Sequence, residues 1–221
     1  MKRLTFILLF CIAYLLEGHA QQAPVDSSQF LLHHFENGQV FYKDGRVFND
    51  VQLNYSLLIK KFLFLDKSDN NVIKEFSEPE LLASLKIGDR TFLPTKNGAT
   101  EVLQIDPPIF VQYRGAIKWE GKNVGYGGKS ETSAVESYSS LQTSTNIHKL
   151  QTEKMILYNI DKTFRIERNG KQYHFFNEKQ FLKIYPDHQD VLKKYIKEND
   201  INFKSIEDVV KLYNYAVSID N

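Results

Sequence analysis

Three dipeptides suited to tight turns, Asp44-Gly45, Gly88-Asp89 and Asn169-Gly170, each sit between apolar runs. Such turns need positive φ angles, which Gly and Asn adopt at little cost. Flanking alternation of apolar and polar residues buries one face of a strand and leaves the other wet. The stretches "QVFYKDGRVFND", "SLKIGDRTFLP" and "TFRIERNGKQYHFF" are therefore read as β-hairpins, and antiparallel pairing is the local default. Residues 51–66, "VQLNYSLLIKKFLFLD", predict one or two further strands with Val51, Leu53, Tyr55 and Leu57 on one face. Asp69-Asn70-Asn71 predicts a turn. "EVLQID" ends at Pro107-Pro108, where a central strand cannot continue. Residues 109–119 predict a long strand bulged at Gly115, and the strand pattern returns at "KMILYNI". Sixteen Phe and twelve Tyr suit a pleated, half-buried surface.

The period changes near the C-terminus. Asn177 and Gln180 predict the cap of a short helix carrying Phe181, Leu182 and Tyr185. Pro186-Asp187 ends it and starts a second, with Val191, Leu192, Tyr195 and Ile196 on its apolar side. Ser205 and Asp208 predict the cap of a third, with Val209, Leu212, Tyr213 and Ala216 facing inward. The fold class expected is α+β, a mostly antiparallel β-sheet or barrel-like domain with a small C-terminal helical unit. The expected division is 1–20 a signal peptide, 21–35 a polar leader, 36–176 the β-rich domain and 177–221 the helical unit packed on it.

The N-terminus reads as an address. Lys2 and Arg3 precede a thirteen-residue apolar run, Leu4 to Leu16, and Gly18 and Ala20 place small residues before Gln21. That is the layout of a secretory signal peptide, and the run is too short for a membrane-spanning helix of about 20 residues. No later segment is apolar enough to span a bilayer, so no transmembrane span is expected in the mature chain. The expected location is periplasmic or extracellular. Cys11 is the only cysteine and lies inside the run, so the mature chain would be cysteine-free and held together by its core alone. Without residues 1–20, basic residues fall from 28 to 26 and acidic ones from 27 to 26. A neutral chain with no basic run argues against nucleic-acid binding.

Residues 120–146 break the strand pattern and are rich in Gly, Ser and Thr, the composition of a long loop. Val124-Gly125-Tyr126-Gly127 matches part of a potassium-filter signature, but no pore helix or membrane span accompanies it. Gly128-Lys129-Ser130 matches the end of a phosphate-binding loop, but Asn123 stands where its first glycine belongs and no helix pattern follows. A solvated surface loop is the reading retained. Loops carry binding function disproportionately, so Tyr126 and Lys129 are candidate contact residues. Tyr113 and Trp119, with Tyr126, form a candidate aromatic rim, weighed against ordinary core aromatics.

No catalytic pattern emerges. His33, His34, His148, His174 and His188 fall in no zinc-binding motif, and no Gly-x-Ser-x-Gly is present. Glu101, Asp106 and Glu120 are read as solvated strand ends. Catalytic residues, metal ligands and cofactors are each assigned as none, and the balance is against an enzyme. Asn54-Tyr55-Ser56 is a glycosylation sequon whose strand context suggests chance.

Five phrases, "GQVFYKDG", "VQLNYSLL", "LKIGDRTFLP", "GYGGKSETSA" and the segment from "FFNEKQFLKIYPDHQDVLKKY" to "VVKLYNY", together resemble an uncharacterised family of secreted or periplasmic proteins of Bacteroidota-type Gram-negative bacteria. The resemblance spans residues 36–217 and implies export and a single architectural unit. It brings no activity and no catalytic residue. The expected function is a non-catalytic interaction or binding protein whose partner is an envelope or extracellular protein or a glycan. The alternatives are a small-ligand carrier built on a β-barrel cavity and a metal-independent hydrolase with dispersed residues.

Overall fold

The computed structural model describes residues 29–95, 98–119, 122–124, 128–130 and 155–220. Ten strands form one antiparallel sheet: β1 (Glu36–Tyr42), β2 (Val47–Ser56), β3 (Lys61–Asp66), β4 (Val72–Glu75), β5 (Leu82–Ile87), β6 (Arg90–Thr95), β7 (Gly98–Gln104), β8 (Ile109–Trp119), β11 (Met155–Arg168) and β12 (Lys171–Phe175). Their spatial order is β12-β11-β8-β7-β6-β5-β1-β2-β3-β4. Two short strands, β9 (Lys122–Val124) and β10 (Gly128–Ser130), pair only with each other. Helices α1 (Glu178–Ile184), α2 (Gln189–Glu198) and α3 (Ile206–Asp220) complete the fold. Among the described residues no helix is long and apolar enough to cross a membrane. The expected signal peptide, residues 1–20, lies outside the described residues.

The turn chemistry places the hairpins as expected. Gly45 has φ 90°, Gly88 φ 56°, and Asn169 and Gly170 φ 54° and 70°, all in the left-handed region. Residues 51–66 divide into β2 and β3, and the turn at Asp69-Asn70-Asn71 joins β3 to β4. The two runs expected around "KMILYNI" and "TFRIER" merge into the single strand β11. The bulge expected at Gly115 sits instead on the partner strand, between Leu157 and Asn159. A Cβ at Gly115 would lie 3.1 Å from the Leu57 carbonyl oxygen, so that glycine serves close approach, not a bulge.

Residues 29–34 belong to the fold although they were expected in a polar leader. Phe30 and Leu32 are buried, and Phe30 bridges to Ser56. The Asn54 amide holds this stretch, accepting from the Leu32 amide at 3.2 Å and donating to the Leu32 and His34 carbonyls at 3.0 Å each. Asn54 is therefore buried and committed, which closes the sequon to modification in the folded chain.

One lateral row crosses seven neighbouring strands: Val40, Leu85, Phe92, Glu101, Val111, Phe164 and Phe175. All are buried, and six are apolar. Over β11 and β12 the row is covered by the helical unit, where Phe175 packs against Phe164 (5.5 Å between centroids), Phe181 (4.9 Å) and Phe203 (6.5 Å). The predicted caps hold that unit in place. Asn177 accepts from the Gln180 amide at 3.0 Å while Gln180 accepts from the Phe176 amide at 2.9 Å, and Ser205 accepts from the Asp208 amide at 3.2 Å. Arg168 at the end of β11 clamps Asp220 at the end of α3 through two hydrogen bonds, 2.6 and 2.7 Å, and donates to the Ile184 carbonyl at 2.9 Å.

The other half of the sheet covers itself. In a flat sheet β3 and β6, four places apart, would be separated by about 19 Å. Instead the rings of Phe62 and Phe92 lie 5.8 Å apart, and Phe62 meets Tyr55 of β2 at 4.9 Å. The sheet thus curls until β2 and β3 face β6 and β7. The end strands β4 and β12 do not pair, so the curl stays open and the closed-barrel form of the expectation does not occur among the described residues.

Candidate functional site

The curl leaves a seam where its two halves meet, and a cavity of ≈ 340 Å³ opens there. That is at the small end of the roughly 300–1,000 Å³ range of small-molecule sites. One wall comes from Lys60, Lys61 and Phe62 at the start of β3, with Glu75 and Phe76 at the end of β4. The opposite wall comes from Pro94, Thr95 and Gly98 of the β6–β7 turn. Lys43 and the 3-10 turn Pro79–Leu81, followed by Leu82, form the rim.

Tyr55 forms the floor. The residue is 2 % exposed, yet its hydroxyl has no hydrogen-bond partner among the described residues. Burial pushes the phenol above its ordinary range; the nearby Ala99 amide opposes the rise without forming a bond of normal geometry. Gly98 makes this placement possible. Its φ is 111°, and a Cβ there would sit 2.4 Å from the Tyr55 oxygen. A buried hydroxyl left without a partner costs roughly 1–3 kcal/mol, which makes this oxygen the polar point of the cavity floor.

Three lysines surround the opening. Lys61 is ion-paired with Glu75. Lys43 donates to the Glu80 carbonyl at 2.7 Å, which satisfies one proton but not its charge. Lys60, held at φ 57° in the β2–β3 turn, has no ion-pair or hydrogen-bond partner among the described residues.

A second polar cluster lies on the same face of the sheet. Glu101 is buried, not a solvated strand end as expected from sequence. Arg90 donates to both its carboxylate oxygens at 2.8 Å, and the Tyr113 hydroxyl donates to it as well. Arg90 also donates to the Tyr113 oxygen at 3.1 Å. Burial and then the Glu101 charge drive the Tyr113 phenol well above its ordinary range. A phenol so raised is unfit for proton transfer near neutral pH. This cluster holds three strands together.

Of the residues expected at a binding site, only Tyr113 has a described side chain. Tyr113 is core, 4 % exposed, and not part of an aromatic rim. Trp119 ends β8 opposite Met155. Lys129 lies in β10 opposite Asn123, so Gly128-Lys129-Ser130 is extended strand and not the entry to a helix. Six residues of the expected loop thus pair as two short antiparallel strands. Tyr126 lies outside the described residues, as do Glu120 and His148. Of the remaining histidines, none lines the cavity; His33, His34 and His174 are exposed and His188 lies 3.5 Å from Asp220. Among the described residues no three His, Cys, Asp or Glu side chains gather as a metal-binding group.

Tyr55, Lys60 and Gly98 escaped the sequence reading as site residues. Tyr55 obeys the same alternation as its core neighbours. Asn97-Gly98 is a hairpin dipeptide between two strands and marked the turn for anyone counting it. No family model matches the chain, and no curated protein or solved structure is significantly similar to it.

Proposed function

We propose that this chain is an exported, non-catalytic binding protein that holds a small molecule in the seam cavity. The buried Tyr55 hydroxyl, unpartnered at the floor of an open cavity, carries the reading. Export rests on the layout of residues 1–20 and on the resemblance to secreted or periplasmic proteins. The non-catalytic reading rests on the polar groups of the curl, where Glu101 and Tyr113 are fully engaged and no described histidine lines the cavity. A small-ligand carrier of this kind uses a curled open sheet instead of a closed barrel. A macromolecular partner at Tyr126 and Lys129 has no described side-chain geometry behind it.

The test is a thermal-shift screen of small molecules on the wild-type chain and on Tyr55→Phe. A ligand at a hundred times its Kd stabilises by about 2.7 kcal/mol, which for a chain of this size raises Tm by about 5–10 °C. The shift should shrink in Tyr55→Phe while the unliganded variant is at least as stable as the wild type. Ligands that stabilise both proteins equally would sink the proposal.

A further inference from the structure

Resting on that reading, we infer that the cavity takes a small apolar monocarboxylic acid that carries a hydrogen-bonding oxygen at its buried end. The walls select an apolar body, since Phe62, Phe76, Leu82 and Pro94 line the cavity and most of its lining is apolar. The floor favours an oxygen at the buried end, because the Tyr55 hydroxyl beside it can donate or accept and has no hydrogen-bond partner among the described residues. The opening selects the charge. Lys43, Lys60 and Lys61 face Glu75 and Glu80, a balance of three positive charges against two negative. Glu75 is taken by Lys61, and Lys43 bonds the main chain of Glu80, not its carboxylate. Lys60 and Lys43 therefore stand over the mouth against one exposed carboxylate. That is enough for a monoanion and short of what a phosphate dianion draws from arginine forks or rows of backbone N–H groups.

The probes are four one-ring compounds: 3-(4-hydroxyphenyl)propionate, 3-phenylpropionate, 4-ethylphenol and tyramine. Binding is measured by isothermal titration at low and high salt, with NMR chemical shifts to locate the site. The hydroxylated acid should bind tightest and weaken with salt. The acid without the hydroxyl should bind about five-fold more weakly, and Tyr55→Phe should abolish that difference. Lys60→Gln, in an exposed turn, should weaken both acids about two- to five-fold and leave 4-ethylphenol unchanged. Equal or tighter binding of 4-ethylphenol or tyramine overturns the acid inference while the cavity reading stands. No binding by any of the four to the wild-type chain overturns the inference, and the thermal-shift screen of wild type against Tyr55→Phe then decides the cavity reading separately.

Discussion

Removing the charge on either side of the Arg90–Glu101 pair should destabilise the sheet, and the two losses should be unequal. Glu101 has a side chain 8 % exposed and accepts from both Arg90 and Tyr113, while Arg90 is 32 % exposed. Breaking a buried pair costs about 3–5 kcal/mol because the survivor is stranded. In Glu101→Leu the survivor is Arg90, which recovers part of its hydration, so the loss should lie near 3 kcal/mol. In Arg90→Met the survivor is a carboxylate that water barely reaches, so the loss should approach about 5 kcal/mol. The double variant Arg90→Met/Glu101→Leu should fall within about 1 kcal/mol of wild type, since the row on either side of Glu101 is already apolar. Urea unfolding of all four proteins closes the cycle, with an expected coupling above about 3 kcal/mol. Additive losses would refute the reasoning, as would Glu101→Leu costing more than Arg90→Met.

Two further outcomes follow from contacts elsewhere. Gly98→Ala places a methyl on the Tyr55 oxygen and forces a left-handed φ on alanine, so it should cost about 2–4 kcal/mol; adding Tyr55→Phe should return part of that, and no recovery in urea unfolding would show that the two residues do not touch. The Arg168 hydrogen bonds hold the Asp220 carboxyl below the ordinary carboxylate range, so this group adds stability above that range that is lost as pH falls through its lower folded value; Asp220→Asn should flatten the stability–pH curve below about pH 4, measured by urea midpoints across that range.

The hairpins were legible because their signals are local. Asp44-Gly45 and Asn169-Gly170 set both the turn and the pairing of adjacent strands, and Asn177 and Ser205 marked helix starts through contacts three residues away. The pairing of β1 with β5 and of β8 with β11 depends on segments 36 or more residues apart, and no dipeptide announces it. The curl was hidden for the same reason. Phe62 and Phe92 are each ordinary strand aromatics, and only the closure of one half of the sheet on the other brings them together. The site inherited that blindness, since Tyr55 becomes unusual only when Gly98 arrives opposite it. Glu101 was misread because a charge in a strand is solvated by default, and its burial requires Arg90 on the neighbouring strand.

The covering of β11 and β12 has a consequence for how the chain is made. Phe164 and Phe175 are synthesised before Phe181, Phe203 and the buried face of α3, with which they share one core. On the ribosome there is an interval in which β1 to β8 can already curl and close their own aromatic cluster while the far strands remain greasy and open. The seam half is therefore free to mature early, whereas the helical half must wait for its last segment, and that waiting surface is the one on which a holding chaperone would act.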